Sequence, residues 1–259
     1  MAEFWPARRL ARKPNEGPIL VDKNGNSSAW RCWPAKDQVI VTIFDIDGTI
    51  CDSGEVEGDC FAKAIEVTTG KTLATLDWTK YPEPTSAGIV RDLLDGDPQA
   101  QRKASAIKKT FLGLLSDARR RYPEEFRPLA GAIPFIQRLE RERIARVAIA
   151  TGCFEEEARF KLACCGIDMD DFPYATSSDT PRRRDILALA ATRAGASLRD
   201  AIYFADAPWD LAVSQALAVP MVGVGRRIEE LTASGLDYTF ADYQDQDGIL
   251  NSLTSIGAH

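Results

Sequence analysis

Residues 39–50, VIVTIFDIDGTI, constrain the fold more than any other stretch of this chain. An unbroken run of Val, Ile, Thr and Phe ends in two aspartates one residue apart and then a glycine. A short apolar run bounded by turn residues reads as a strand buried on both faces, the kind that parallel sheets use. Asp45 and Asp47 then stand at its carboxyl end, the edge of an open α/β sheet where ligands bind. Two carboxylates that close repel unless a cation or a shared proton relieves them. Gly48 permits the sharp exit from the strand. Taken alone, the pair reads equally well as turn or cap aspartates.

Further strand-like runs follow, each ending in polar chemistry. Residues 147–150 lead into Thr151 and Gly152, a hydroxyl and an unobstructed backbone amide able to face an anion. A strand near residues 174–177 precedes DTPRRRDILALA, where Pro181 suits the first turn of a helix with Ile186, Leu187 and Ala190 on its apolar side. Arg182, Arg183 and Arg184 crowd that helix start against the dipole, which calls for an anion nearby. Residues 201–205 form a strand ending at Asp206, and Asp210 follows on the opening turn of a helix; residues 221–224 are the next strand. Strands alternating with helices predict an α/β fold, a doubly wound parallel (Rossmann-like) sheet.

Residues 53–126 break this alternation. Three helices are expected there with no strand between them: one with Phe61, Ala64, Ile65 and Thr68 ending at Gly70, one with Ile89 and Leu93 on one side, and one over residues 98–122. The basic run at 119–121 reads as a solvated helix end. Residues 1–37 read as an extension carrying a β-hairpin around Asn24-Gly25, packed through Trp30 or Trp33. The expected division is therefore 1–37 extension, 38–52 with 127–259 core, and 53–126 helical insertion.

Composition narrows the chemistry. A net charge of −6 argues against a nucleic-acid partner. No apolar run approaches the roughly 20 residues of a membrane span, and the amino terminus lacks a secretory signal, so a cytoplasmic location is expected. The six cysteines show no paired metal spacing and read as free thiols. His259 is the only histidine, which sets aside Ser-His, Cys-His and histidine-ligated metal mechanisms. Carboxylates, hydroxyls, amides and cations must do the work. Oligomeric state is not encoded in any of these patterns.

DIDGT after a buried strand, Thr151 after the second, a cation at the helix following Pro181, and Asp206 with Asp210 resemble in order the motifs of the haloacid dehalogenase-like superfamily. Residues 38–255 share this pattern, which is most similar to the phosphoglycolate-phosphatase-type branch with its inserted helical cap. Ala205 stands where that pattern usually has glycine, and an arginine, here taken as Arg183, stands where it usually has lysine. The resemblance implies a phosphatase for a small phosphorylated metabolite. Asp45 would attack phosphorus and Asp47 would serve as general acid and base, with Thr151, Gly152 and Arg183 holding the phosphoryl oxygens. Oxygen donors favour Mg²⁺, held by Asp45, Asp206 and the backbone carbonyl of Asp47, with Asp210 assisting directly or through water. Asp47 argues against dehalogenases and phosphonate hydrolases; the lack of an insertion histidine argues against a sugar-phosphate mutase. A phosphomutase or other hydrolase of the superfamily stays an alternative, as does a non-catalytic Mg²⁺-binding or phospho-receiver module. Trp78, Tyr81 and Thr85 either touch the leaving group or close the insertion's own core, and phosphoglycolate is the substrate implied by resemblance.

Overall fold

The computed structural model describes residues 40–53 and 56–257; the expected amino-terminal hairpin and its tryptophans lie outside them. β1 (Val41–Phe44) is buried along its whole length and sits inside a six-stranded parallel sheet. The other strands are β4 (Arg146–Ala150), β5 (Tyr174–Ala175), β6 (Ala201–Ala205), β7 (Met221–Val224) and β8 (Thr239–Phe240), in the order β5-β4-β1-β6-β7-β8. β1 pairs in register with β4 through Phe44 and Ile149 and with β6 through Phe44 and Phe204. Strand order reverses on either side of β1, so the ends of β1, β4 and β6 open onto one crevice.

Both faces of the sheet are covered, which is why its strands carry continuous apolar runs. On one face Val41, Ile43, Ala148 and Tyr203 pack with Ile186, Leu187 and Ala190 of α6 (Arg183–Arg193) and Leu211 of α7 (Pro208–Leu217). On the other, Phe44 stacks on Phe204 at 4.6 Å between ring centroids, and Phe135 of α4 (Ala132–Arg141) and Tyr243 complete an aromatic cluster. Burying four such rings supplies several kcal/mol, on the order of 1.5–3 each. α8 (Ile228–Ala233) and α9 (Gln246–Ile256) finish the chain, the latter burying Ile249, Leu250 and Leu253.

Just after β1 the chain forms β2 (Cys51–Asp52), which pairs antiparallel with β3 (Arg127–Pro128). Between these two short strands lie α1 (Val56–Thr69), α2 (Ser86–Leu93) and α3 (Ala100–Arg121). Phe61, Ala64 and Ile65 of α1 pack with Ile107, Phe111 and Leu115 of α3 in a second core, in which Phe61 meets Phe111 edge-on at 5.1 Å. Leu94 rather than Leu93 is the residue fully buried at the end of α2. Among the described residues no helix is long and apolar enough to cross a membrane.

Three helices, α8, α9 and the one that follows β4, have no counterpart in the sequence reading, and the last of these bears on the site. α5 (Glu155–Cys164) buries Glu157, Ala158, Lys161 and Leu162, which are spaced as a helical face. Two of those positions are charged, so hydrophobic periodicity does not reveal the face.

Candidate active site

Asp45 leaves β1 buried, with its backbone N–H still in the ladder, donating to the carbonyl of Phe204 at 2.9 Å. Its Oδ1 accepts the Ile46 N–H at 2.8 Å, and its Oδ2 accepts Arg183 Nη1 at 3.0 Å. Burial raises its carboxyl and the charge of Asp47 adds to this, while Arg183 opposes; the net direction is upward. The chain then turns tightly: the Ile46 carbonyl accepts N–H groups from Thr49, Ile50 and Cys51, and Gly48 takes φ 68°. A Cβ on Gly48 would run into the carboxylate of Asp206, so glycine is what lets Asp206 lie against this turn.

Arg183 opens α6. Its neighbours Arg182 and Arg184 are exposed, whereas Arg183 is buried and turned inward. Nη1 donates to Asp45 and, at 2.7 Å, to Asp210 Oδ1; Nη2 donates to the Pro84 carbonyl of the insertion at 3.4 Å. Asp45 and Asp210 are thus the anions that the three clustered arginines called for. Burial alone would lower the Arg183 guanidinium, but Asp210 and Asp45 hold it well above its ordinary value. Asp210 Oδ1 also accepts the Tyr203 hydroxyl at 2.8 Å, while Oδ2 is buried without a partner. Burial outweighs the Arg183 charge and pushes the Asp210 carboxyl up to about 7.

Asp47 points the other way, toward α5. Its carboxylate lies 2.8 Å from Lys161 Nζ, accepts Cys153 Sγ at 2.9 Å and lies 3.0 Å from Ser53 Oγ. Burial raises Asp47, but the Lys161 charge and these hydrogen bonds outweigh it and hold the carboxyl below its ordinary value. Lys161 is fully buried, and its ammonium also meets Glu57 at 2.7 Å and Glu157 at 2.8 Å. Burial would strip its proton, yet the surrounding negative charges hold it well above the usual lysine value.

These groups border one cavity of about 220 Å³ between the sheet edge and the helical insertion. Asp45, Asp47, Gly152, Arg183 and Asp206 line it. Thr151 and Asp210 stand behind the wall: Thr151 is buried at the end of β4, where its Oγ1 accepts the Cys153 N–H at 3.3 Å. Gly152 lies so close to the Arg183 guanidinium that a side chain there would displace it. The insertion contributes Phe61, Trp78, Thr85 and Ile89 to the wall. Trp78 also packs in the insertion's own core, at 6.1 Å from Phe61 and 5.9 Å from Tyr81; Tyr81 belongs to that core alone, donating to the Thr75 carbonyl. At the mouth, the Arg227 guanidinium lies 4.9 Å from the Trp209 ring centroid, and Arg226 pairs with Asp52.

Two acidic groupings are available to a cation. Ligand atoms of Asp47, Cys153 and Glu157 lie within 4.8 Å of one another, but Lys161 Nζ is within 3.3 Å of all three and already takes that position. Asp206 is different. Among the described residues its carboxylate has no hydrogen-bond or ion-pair partner. Burial, then Asp210, and then Asp45 and Asp47 push it well above its ordinary value, with Arg227 opposing. An all-oxygen set of mutually repelling carboxylates fits a hard divalent cation.

Sequence reasoning missed Ser53, Glu57, Cys153, Glu157, Lys161 and Tyr203. The one available signal was Glu157 and Lys161 at i and i+4 just beyond Thr151-Gly152.

A parallel α/β sheet with an aspartate-rich crevice and a helical insertion after its first strand defines the class. The model of the haloacid dehalogenase-like hydrolase family matches residues 41–217, and the chain belongs to that family. No curated protein matches the chain. Among solved structures it is similar to a hydrolase from Pseudomonas syringae, with 22% identity, 84% of this chain and 99% of that chain covered, and a TM-score of 0.65. It is also similar to CbbY from Rhodobacter sphaeroides in complex with phosphate (15% identity, 80% and 96% covered, TM-score 0.63). A predicted phosphoglycolate phosphatase from Haemophilus somnus is a third (16% identity, 83% and 99% covered, TM-score 0.57). At these identities the likeness is one of fold.

Proposed function

We propose that this chain is a Mg²⁺-dependent phosphatase that hydrolyses a small phosphomonoester through an aspartyl-phosphate on Asp45. The observation that carries the reading is the convergence of Asp45, Asp47, Asp206 and Arg183 on one cavity. Membership of a hydrolase family and the shared fold with CbbY, which has been crystallised with phosphate, support it. The cavity is below the usual range of about 300–1,000 Å³ for ligand pockets, in keeping with a small substrate.

An Asp45 oxygen attacks phosphorus as the bond to the leaving oxygen breaks. Arg183 and the Gly152 amide, with Thr151 supporting from behind, hold the phosphoryl oxygens as charge spreads over them. Asp47 delivers a proton to the leaving alcohol and then takes one from the water that opens the acyl-phosphate, returning Asp45 and releasing phosphate. Lys161 keeps Asp47 ionised at rest, and a phosphate dianion arriving beside it raises the carboxyl again and favours its proton. Mg²⁺, held by Asp45, Asp206 and the Asp47 carbonyl, with Asp210 reaching it directly or through water, would reduce the repulsion between carboxylate and phosphate. The insertion, residues 53–126, serves as the cap that excludes bulk water and meets the leaving group.

Phosphate release from p-nitrophenyl phosphate tests this. Turnover that requires Mg²⁺ and vanishes in Asp45→Asn is expected. A folded preparation with no Mg²⁺-dependent turnover supports a binding module instead. Phosphoglycolate heads the panel of metabolites to try next, by family resemblance.

A further inference from the structure

Lys161 does not line the cavity, yet it contacts a residue that does. An ammonium has three donors and no acceptor, and here the three carboxylates around it belong to three different parts of the chain. Asp47 comes from the turn after β1, Glu157 from α5, and Glu57 from the first turn of α1 in the insertion. The other oxygen of Glu157 accepts the Phe154 N–H at 3.0 Å and Ser86 Oγ, at the start of α2, at 2.9 Å. Two helices of the insertion are therefore fastened to α5 through this one cluster. Ser53, beside the β2 crossing into the insertion, adds a further tie: its Oγ lies 3.0 Å from Asp47 and 2.7 Å from Glu57. One hydroxyl has one proton to donate, so making both bonds requires Glu57 to supply the second.

Resting on the phosphatase reading of Asp47, we propose that Lys161 is a positioning residue, which fixes the Asp47 carboxylate and couples that placement to the seating of the insertion through Glu57 and Glu157. Lifting the insertion removes Glu57 from the ammonium and Ser86 from Glu157. Asp47 then loses the fixed partner that aims it. Seated insertion and aimed acid form together.

Leaving-group dependence distinguishes aiming from simple stability. p-Nitrophenolate departs with little help from a proton, whereas an alkyl alkoxide needs one. In Lys161→Met and in Glu57→Ala, Mg²⁺-dependent single-turnover cleavage of β-glycerophosphate, which precedes the water step in which Asp47 acts as base, is expected to fall about 100-fold, the range of general acid catalysis. For p-nitrophenyl phosphate, whose leaving group needs no proton, the same single-turnover cleavage is expected to fall under about 5-fold. Equal losses on both esters, or no loss on either, overturn the proposal. Glu57→Ala removes the carboxyl from both Lys161 and Ser53, so it decides the matter if Lys161→Met does not fold. Amide hydrogen exchange needs no turnover: faster exchange in α1 and α2 of Glu57→Ala than in the parent is expected, and unchanged exchange overturns the coupling. If the parent hydrolyses neither ester, the phosphatase reading fails while the exchange result still decides the latch.

Discussion

Arg183 and Asp45, 138 positions apart in the chain, meet at 3.0 Å, with the guanidinium Nη1 donating to the carboxylate Oδ2. The same nitrogen binds Asp210, so one buried cation balances two buried carboxylates. Removing one member of such a group strands the others, at a cost of about 3–5 kcal/mol. Arg183→Met is therefore expected to lower the unfolding free energy from urea titration by that much and to reduce kcat/KM by at least about 100-fold. Arg183→Lys retains a charge without the planar fork and is expected to fall between the two. A Met variant as stable as the parent contradicts this account.

Gly48 lies against Asp206 with φ 68°, and a methyl group there has no room that the carboxylate does not occupy. The αL conformation alone costs alanine about 1 kcal/mol, but displacement of Asp206 is the larger consequence. Gly48→Ala is expected to remain folded and to lose the stabilisation that Mg²⁺ gives the parent, which at 100 times Kd is about 2.7 kcal/mol. Thermal unfolding with and without Mg²⁺ measures both, and an undiminished Mg²⁺ shift in the variant contradicts the placement.

The sheet was legible because each central strand is buried on both faces, so its apolar run needs no partner to be recognised. Asp45, Asp206 and Gly152 were legible as the polar ends of those runs. Arg183 was chosen from three adjacent arginines, and of these it alone is buried. α5 was not legible: a helix that buries Glu157 and Lys161 hides its inner face from any hydrophobic pattern. The Lys161 cluster was missed with it, because its carboxylates come from residues 47, 57 and 157 and no local spacing joins them. Asp210 was read from its i, i+4 relation to Asp206, but its partners Arg183 and Tyr203 belong to other elements, visible only once the chain is folded.

Tyr203 donates to Asp210 from the middle of β6, inside the core. Tyr203→Phe leaves Asp210 with only Arg183 and is expected to cost about 1–3 kcal/mol of unfolding free energy in urea titration. Because Tyr203 acts two contacts away from Asp45, the expected loss of kcat/KM is under about 10-fold, and a loss as large as that of Arg183→Met contradicts this ordering.

Stability in the absence of metal should depend on pH in a defined direction. The Asp210 carboxyl is raised from 3.8 to about 7, and Asp206 and Asp45 are shifted the same way. A carboxyl raised by folding keeps its proton in the fold after the unfolded chain has released it. Its contribution is complete below about pH 4 and is lost as pH rises toward about 7. Asp47 is shifted downward, so its contribution is present above about pH 4 and is lost in more acid solution. Metal-free protein is expected to lose unfolding free energy between about pH 4 and 7, and Mg²⁺ at about pH 8 is expected to restore it. A flat profile, or a rising one, contradicts these shifts.

The claim on which the rest depends is that Asp45 itself carries the phosphoryl group. Acid-quenching the enzyme during turnover of a phosphomonoester with Mg²⁺, followed by peptide mass spectrometry, tests it most directly. The expected result is a phosphorylated peptide spanning the β1 exit with the modification on Asp45, absent without Mg²⁺ and absent in Asp45→Asn. Turnover with Asp45 never modified, or a phosphoryl group on a different side chain, would contradict it.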